Sequence, residues 1–140
     1  MIILETNVLS ELMRPAPSAR VVNWVSTQPA AELFTTSITE AEIFYGIELL
    51  AKGVRRDRLL AGAEVVFARD LGGRVLGFEG PAARAFSRIA AHRRALGRPI
   101  GQADAQIAAI AQIQGAKLAT RHTADFRDCG VELVDPWNSR

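Results

Sequence analysis

Short apolar runs alternate along this chain with segments of helical length, and that alternation most constrains the fold. Met1–Leu4, Glu32–Thr36, Arg74–Phe78, Lys117–Thr120 and Val131–Val134 read as short, buried strands. The first helical segment runs from Asn7 to Arg14 and is halted by Pro15. Ser18 is placed to cap a second, which carries Val21, Val22, Trp24 and Val25, and Thr39 to begin a third through Ile43, Tyr45, Ile47 and Leu50, ended near Gly53. Arg55 to Leu71 continues as helix. A further helix runs from about Pro81, where proline suits the first turn, to Leu96, and another from about Gln102 to Gln114, terminated by Gly115. Strands and helices in alternation predict an α/β domain whose central, mainly parallel sheet is flanked by helices on both faces. No repeat, low-complexity tract or linker divides the sequence, so residues 1–140 are expected to form a single domain.

Hydrophobic residues at 49% and charged residues at 23% argue against disordered and fibrous classes. The apolar start meets Glu5 at once, too early for a signal peptide, and no later run reaches the ~18 apolar residues of a membrane span. Cys129 is the only cysteine, which excludes an internal disulfide and a cysteine-built zinc site. A cytoplasmic protein without membrane contact is the expectation. The formal charge of +2 is unevenly spread: between Glu79 and Asp104 there is no carboxylate, whereas Arg84, Arg88, Arg93, Arg94 and Arg98 lie there with His92. A basic surface of that kind attracts phosphates, although a solvated helix face is the plainer alternative.

Four carboxylates fall at the ends of elements. Glu5 closes the first strand, Glu42 falls in the first turn of the third helix, Asp104 in the first turn of the sixth, and Asp125 follows the fourth strand. Strand ends and following helix starts share one edge of a parallel sheet, where open α/β folds bind ligands, so topology lets the four converge. Gathered carboxylates repel one another unless a cation binds them or some take up protons. Hard oxygen ligands suit Mg²⁺ or Mn²⁺, and such ions, singly or as a pair, promote phosphodiester hydrolysis. Each residue also has a plain reading. Thr39 and Glu42 fit a capping box, Asp125 could cap the turn through Phe126 and Arg127, and Glu5 could be exposed at a strand end. Asp104 is more telling, because it shares its helix face with Ile107, Ala108 and Ala111, where an unpartnered carboxylate is costly.

Ile2-Ile3-Leu4-Glu5-Thr6-Asn7-Val8-Leu9-Ser10-Glu11, Ala41-Glu42-Ile43-Phe44-Tyr45-Gly46, Ala103-Asp104-Ala105-Gln106-Ile107-Ala108 and Leu118-Ala119-Thr120-Arg121-His122-Thr123-Ala124-Asp125-Phe126 together resemble the motifs of VapC-type PIN-domain toxins, in order and over essentially the whole chain. The resemblance implies a PIN-like fold and a Mg²⁺- or Mn²⁺-dependent endoribonuclease of a type II toxin–antitoxin system, cutting tRNA or rRNA to halt translation. It implies metal-binding roles for Glu5, Glu42, Asp104 and Asp125, with Asn7 and Thr120 as supporting polar positions. Arg84, Arg88, Arg93, Arg94 and Arg98 would help hold the RNA backbone. It further implies a homodimer, a higher complex with a VapB-like antitoxin whose tail covers the acidic cleft, and DNA contact only through that antitoxin.

One departure stands out: Glu5 occupies a position where the family normally has aspartate, and the added methylene shifts a carboxylate that must meet strict metal geometry. An attenuated activity follows as an expectation, and a catalytically weak or inactive RNA- or antitoxin-binding module is the alternative. His122 stands where asparagine is common after Thr-Arg. A phospho-accepting domain would want an aspartate ending the middle strand, where this chain has Gly77-Phe78-Glu79, and a DNA nuclease would use the same metal chemistry.

Overall fold

The strand first in sequence becomes the centre of the sheet. In the computed structural model, which describes residues 1–139, β1 (Ile2–Leu4) pairs in parallel with β2 (Leu33–Thr36) on one side and β4 (Lys117–Ala119) on the other. Ile3 stands opposite Phe34 and Leu118. With β3 (Val75–Leu76) and β5 (Leu133–Val134) as edges, the order is β3-β2-β1-β4-β5 and every pairing is parallel. The chain therefore builds outward from β1 on one side and then returns to its other side at β4. Such a reversal opens a crevice beyond the carboxyl ends of the two central strands.

Helices cover both faces, as the alternation predicts. Successive strand residues point to opposite faces, so Ile3 enters one core and Leu4 the other. Ile3 and Leu118 pack with α5 (Gly80–Ala95) and α6 (Gln102–Gln114). Ala82 and Ala85 on α5, with Ala105, Ala108, Ala109 and Ala111 on α6, are wholly buried, and such short side chains let the two helices approach closely. On the opposite face Leu4 packs with α1 (Thr6–Leu12), α2 (Ala19–Ser26), α3 (Ser37–Glu48) and α4 (Val54–Val65) through Val8, Leu9, Val21, Ile43, Ile47 and Ala63. No helix among the described residues is long and apolar enough to cross a membrane.

Two boundaries and the manner of one cap differ from the sequence expectation. Thr36, not Thr39, caps α3: its Oγ1 accepts from the Thr39 backbone N–H at 3.1 Å, and β2 runs into the helix without a loop. Thr39 is thus buried inside the first turn and Glu42 sits in the second, which removes the capping-box reading. Ser18 precedes α2 without a side-chain cap; instead its backbone N–H donates to Glu11 at 2.9 Å. The segment from Arg55 to Leu71 leaves the α-helix at Val65 and continues as a π-helical turn, Val66–Asp70. That widening accompanies the burial of both Phe67 and Leu71 and sets Phe67 against Phe44, ring centroids 5.6 Å apart.

Candidate active site

Glu5 leaves β1 and caps α1, its Oε2 accepting from the Asn7 backbone N–H at 3.4 Å and from the Thr120 hydroxyl at 3.1 Å. The side chain is only 5% exposed, so the strand-end reading fails. Burial pushes its pKa up, and the charges of Asp104 and Glu42 add to that, against the lowering effect of the two hydrogen bonds. Thr120 spends its single proton on Glu5 and accepts from the His122 backbone N–H at 3.0 Å and from Asn7 Nδ2 at 3.4 Å. Asn7 Oδ1 accepts from the Arg121 backbone N–H at 3.0 Å. Asn7 and Thr120, expected as supporting residues, thereby bind the end of β1 to the end of β4 around the Glu5 carboxylate.

Glu42 reaches the same region from α3. Thr6 Oγ1 lies 2.7 Å from Glu42 Oε1 and 3.1 Å from Thr39 Oγ1. The Thr6 hydroxyl donates to the carboxylate, which leaves the Thr39 hydroxyl to donate to Thr6. Asp104, in the first turn of α6, is half-buried; desolvation raises its pKa first, then the charges of Asp125 and Glu42, while His122 and Arg93 oppose the rise. Asp125 is exposed in a short 3₁₀ turn, Thr123–Phe126, that begins after His122, so aspartate does not cap it.

The four carboxylates form one electrostatic group, because Glu5 feels Asp104 and Glu42, and Asp104 feels Asp125 and Glu42. An open cleft of about 590 Å³ is lined by Glu5, Asn7, Glu42, Arg121, His122 and Trp137 among others; Asp104 and Asp125 couple to it by charge without lining it. Among the described residues, no three Asp, Glu, His or Cys side chains stand together in a metal-holding arrangement. The donor set nonetheless has the chemistry of a hard divalent cation's ligands: carboxylate oxygens, mutually repelling, two of them with raised pKa. A larger and mostly apolar cavity of about 830 Å³ shares Thr6, Ser10, Arg14 and Glu42 and runs on past Met13, Ile43, Ile47, Leu50 and Leu59.

The arginine expectation needs correction. Arg93 is not on the surface: it continues the buried stripe of Ala82, Ala85 and Ile89 on α5 and is 5% exposed. Its Nε donates to the Arg98 carbonyl at 2.8 Å, and Nη1 to the carbonyls of Asp125 at 2.7 Å and Arg127 at 3.1 Å. It braces the turn that carries Asp125 and offers nothing to a phosphate. Arg98 pairs with Asp128, leaving Arg84, Arg88 and Arg94 as the exposed arginines of α5. Sequence reasoning passed over Thr6, Arg121 and Trp137; Thr6 had a signal in its place beside Glu5, whereas Trp137 reaches the cleft only through the fold.

The fold and site together define a parallel α/β domain with an acidic cleft at the reversal of strand order. Residues 2–130 match the PIN domain, and the chain belongs to that family. It is 36% identical over 137 residues to "VapC ribonuclease Y4jK" of Sinorhizobium fredii, covering 98% of each chain. It is 35% identical over 138 residues to "Toxin FitB" of Neisseria gonorrhoeae, covering 99% of each. A solved structure of FitAB bound to an IR36 DNA fragment superimposes with a TM-score of 0.93 at 34% identity, covering 100% of this chain and 98% of the other.

Proposed function

We propose that this chain is the toxin of a type II toxin–antitoxin pair, a Mg²⁺- or Mn²⁺-dependent endoribonuclease that cuts tRNA or rRNA in the cytoplasm and so stops translation. The observation that carries the reading is the group of four charge-coupled carboxylates at the reversal of strand order, one of them, Glu5, buried and held by Asn7 and Thr120. The names of its relatives, a VapC ribonuclease and a toxin, support it. Glu5, Glu42, Asp104 and Asp125 would hold the divalent ion, which when bound supplies an acidified water and stabilises charge on the phosphate. The protein's own part is positional. Asn7 and Thr120 fix Glu5, Thr6 fixes Glu42, Arg93 fixes the backbone of the Asp125 turn, and Arg84, Arg88 and Arg94 hold the RNA backbone.

A VapB-like antitoxin is the proposed inhibitor, placing a basic group against these carboxylates, with DNA bound only through it in the higher complex formed by toxin homodimers. The FitAB complex on DNA supports that assembly. Glu5 favours a second reading, a weakened or inactive binder of RNA or antitoxin, because its longer side chain reaches Asn7 only at 3.4 Å. Incubation of the antitoxin-free protein with total RNA and Mg²⁺ or Mn²⁺ separates the two. Cleavage abolished by EDTA and by Asp104→Asn is the expected result. Activity only after Glu5→Asp supports the weakened form, and no cleavage by either protein overturns the ribonuclease.

A further inference from the structure

We propose that Arg121 and Trp137 form a stacking shelf that receives an unpaired nucleobase of the RNA strand beside the carboxylate cleft, an inference that rests on the ribonuclease reading. The guanidinium carbon of Arg121 lies 5.0 Å from the centroid of the Trp137 ring. Both residues line the same cleft as Glu5 and Glu42.

Each half of the shelf is tied down. The Trp137 backbone N–H donates to Asp135 Oδ1 at 2.9 Å, its carbonyl accepts from Arg20 at 3.2 Å, and Asn138 Nδ2 holds the other Asp135 oxygen at 2.8 Å. The backbone N–H of Arg121 donates to Asn7 Oδ1, and the Asn7 backbone N–H donates to Glu5. Shelf and carboxylate therefore share one hydrogen-bonded frame, and the shelf holds its place relative to the site where the backbone would be cut.

Arg121 spends one guanidinium face on the indole. The residue is exposed, and among the described residues it has no carboxylate within ion-pair distance; Glu11, which lines the same cleft, feels its charge. A planar guanidinium stacks on a base face while its N–H edge reaches phosphate, a combination that bases paired inside a duplex cannot engage. Single-stranded RNA, in a loop or at an end, is the ligand with that chemistry. The shelf would then favour cleavage at unpaired positions, with the stacked base adjoining the scissile phosphate.

The test uses the full-length, antitoxin-free protein in an Asp104→Asn background with Mg²⁺, so that strands are bound without turnover. Fluorescence anisotropy compares a labelled oligoadenylate with the same strand carrying abasic sites. Arg121→Lys keeps the charge and loses the plane; it should weaken oligoadenylate binding by about tenfold, with the abasic strand little changed. Trp137→Phe, which keeps an aromatic ring and part of the packing, should fall between Arg121→Lys and the parent while melting close to it. Equal binding of both strands by Arg121→Lys and its parent overturns the shelf, as does a parallel loss on both strands. Weakened affinity for the antitoxin tail with oligoadenylate binding intact would make the surface a peptide site and overturn it too. If the parent binds neither strand and the protein with Asp104 intact cleaves no RNA, the ribonuclease reading itself fails, an outcome distinct from loss of the base-dependent part alone; a parent that binds neither strand beside an active protein overturns the shelf only.

Discussion

Glu5 shows how little room the centre of the site leaves for a charge. Its carboxylate is buried, it faces two other acids, and its folded pKa lies above the ordinary value. A carboxyl with a raised folded pKa binds protons more tightly folded than unfolded, so its favourable contribution is complete below the unfolded pKa and is lost as pH rises through the folded one. Above its folded pKa the ionised Glu5 therefore destabilises the metal-free protein. Glu5→Gln keeps an acceptor for Asn7 and Thr120 and removes that charge. Thermal melts in EDTA should show the variant a few degrees more stable at pH 7, the gap closing as pH falls through the carboxylate range; a variant less stable at pH 7 would mean that hydrogen bonding to the charge outweighs burial. The sequence made Glu5, Asp104, Asn7 and Thr120 legible because each sits at an element end in a recognisable motif. Thr6 and Thr39 were opaque as partners, since the bond between them joins residues far apart in the chain and depends on how α1 meets α3.

Helix phase explains the arginines. The sequence offers five of them in one interval, but α5 buries the positions in step with Ala82, Ala85 and Ile89, and Arg93 falls in step. Periodicity alone does not reveal it, because an arginine on an apolar stripe reads as a break in the stripe until the carbonyls of Asp125, Arg127 and Arg98 are seen to satisfy it. Arg93→Leu would strand those carbonyls and should cost roughly 3 kcal/mol in urea unfolding. Arg84→Ala, on the exposed face, should change stability by less than about 0.5 kcal/mol and weaken RNA binding in a salt-dependent way. The start of α3 follows a similar logic. Thr36 and Thr39 are both plausible caps in sequence, and only the direct passage from β2 into the helix selects Thr36. Thr36→Val preserves volume and removes the cap, so a loss of about 1 kcal/mol is expected by chemical denaturation; Thr39→Val should leave the cap bond intact.

Across the whole molecule, alternation of elements was enough to foresee a parallel sheet with helices on both faces, but not the order β3-β2-β1-β4-β5, because strand order is fixed by which crossover buries which helix face. That order sets Glu5 and Thr120 side by side at the ends of adjacent strands and makes the carboxylates a single electrostatic group. A divalent ion bound there would relieve repulsion present in the folded protein and weaker in the unfolded chain, so binding should appear as stability. Mn²⁺ at about 100 times its dissociation constant should stabilise by roughly 2.7 kcal/mol, the gain rising with the logarithm of Mn²⁺ concentration as expected for one site. The shift should shrink as pH falls, since Glu5 and Asp104, with their raised pKa values, take up protons that compete with metal. Asp104→Asn would remove one proposed ligand and part of the repulsion together, so it should start more stable than the parent without metal and gain far less when Mn²⁺ is added. An equal gain in both proteins would place the ion elsewhere on the surface, and the carboxylate group would then have no claim to be a metal centre.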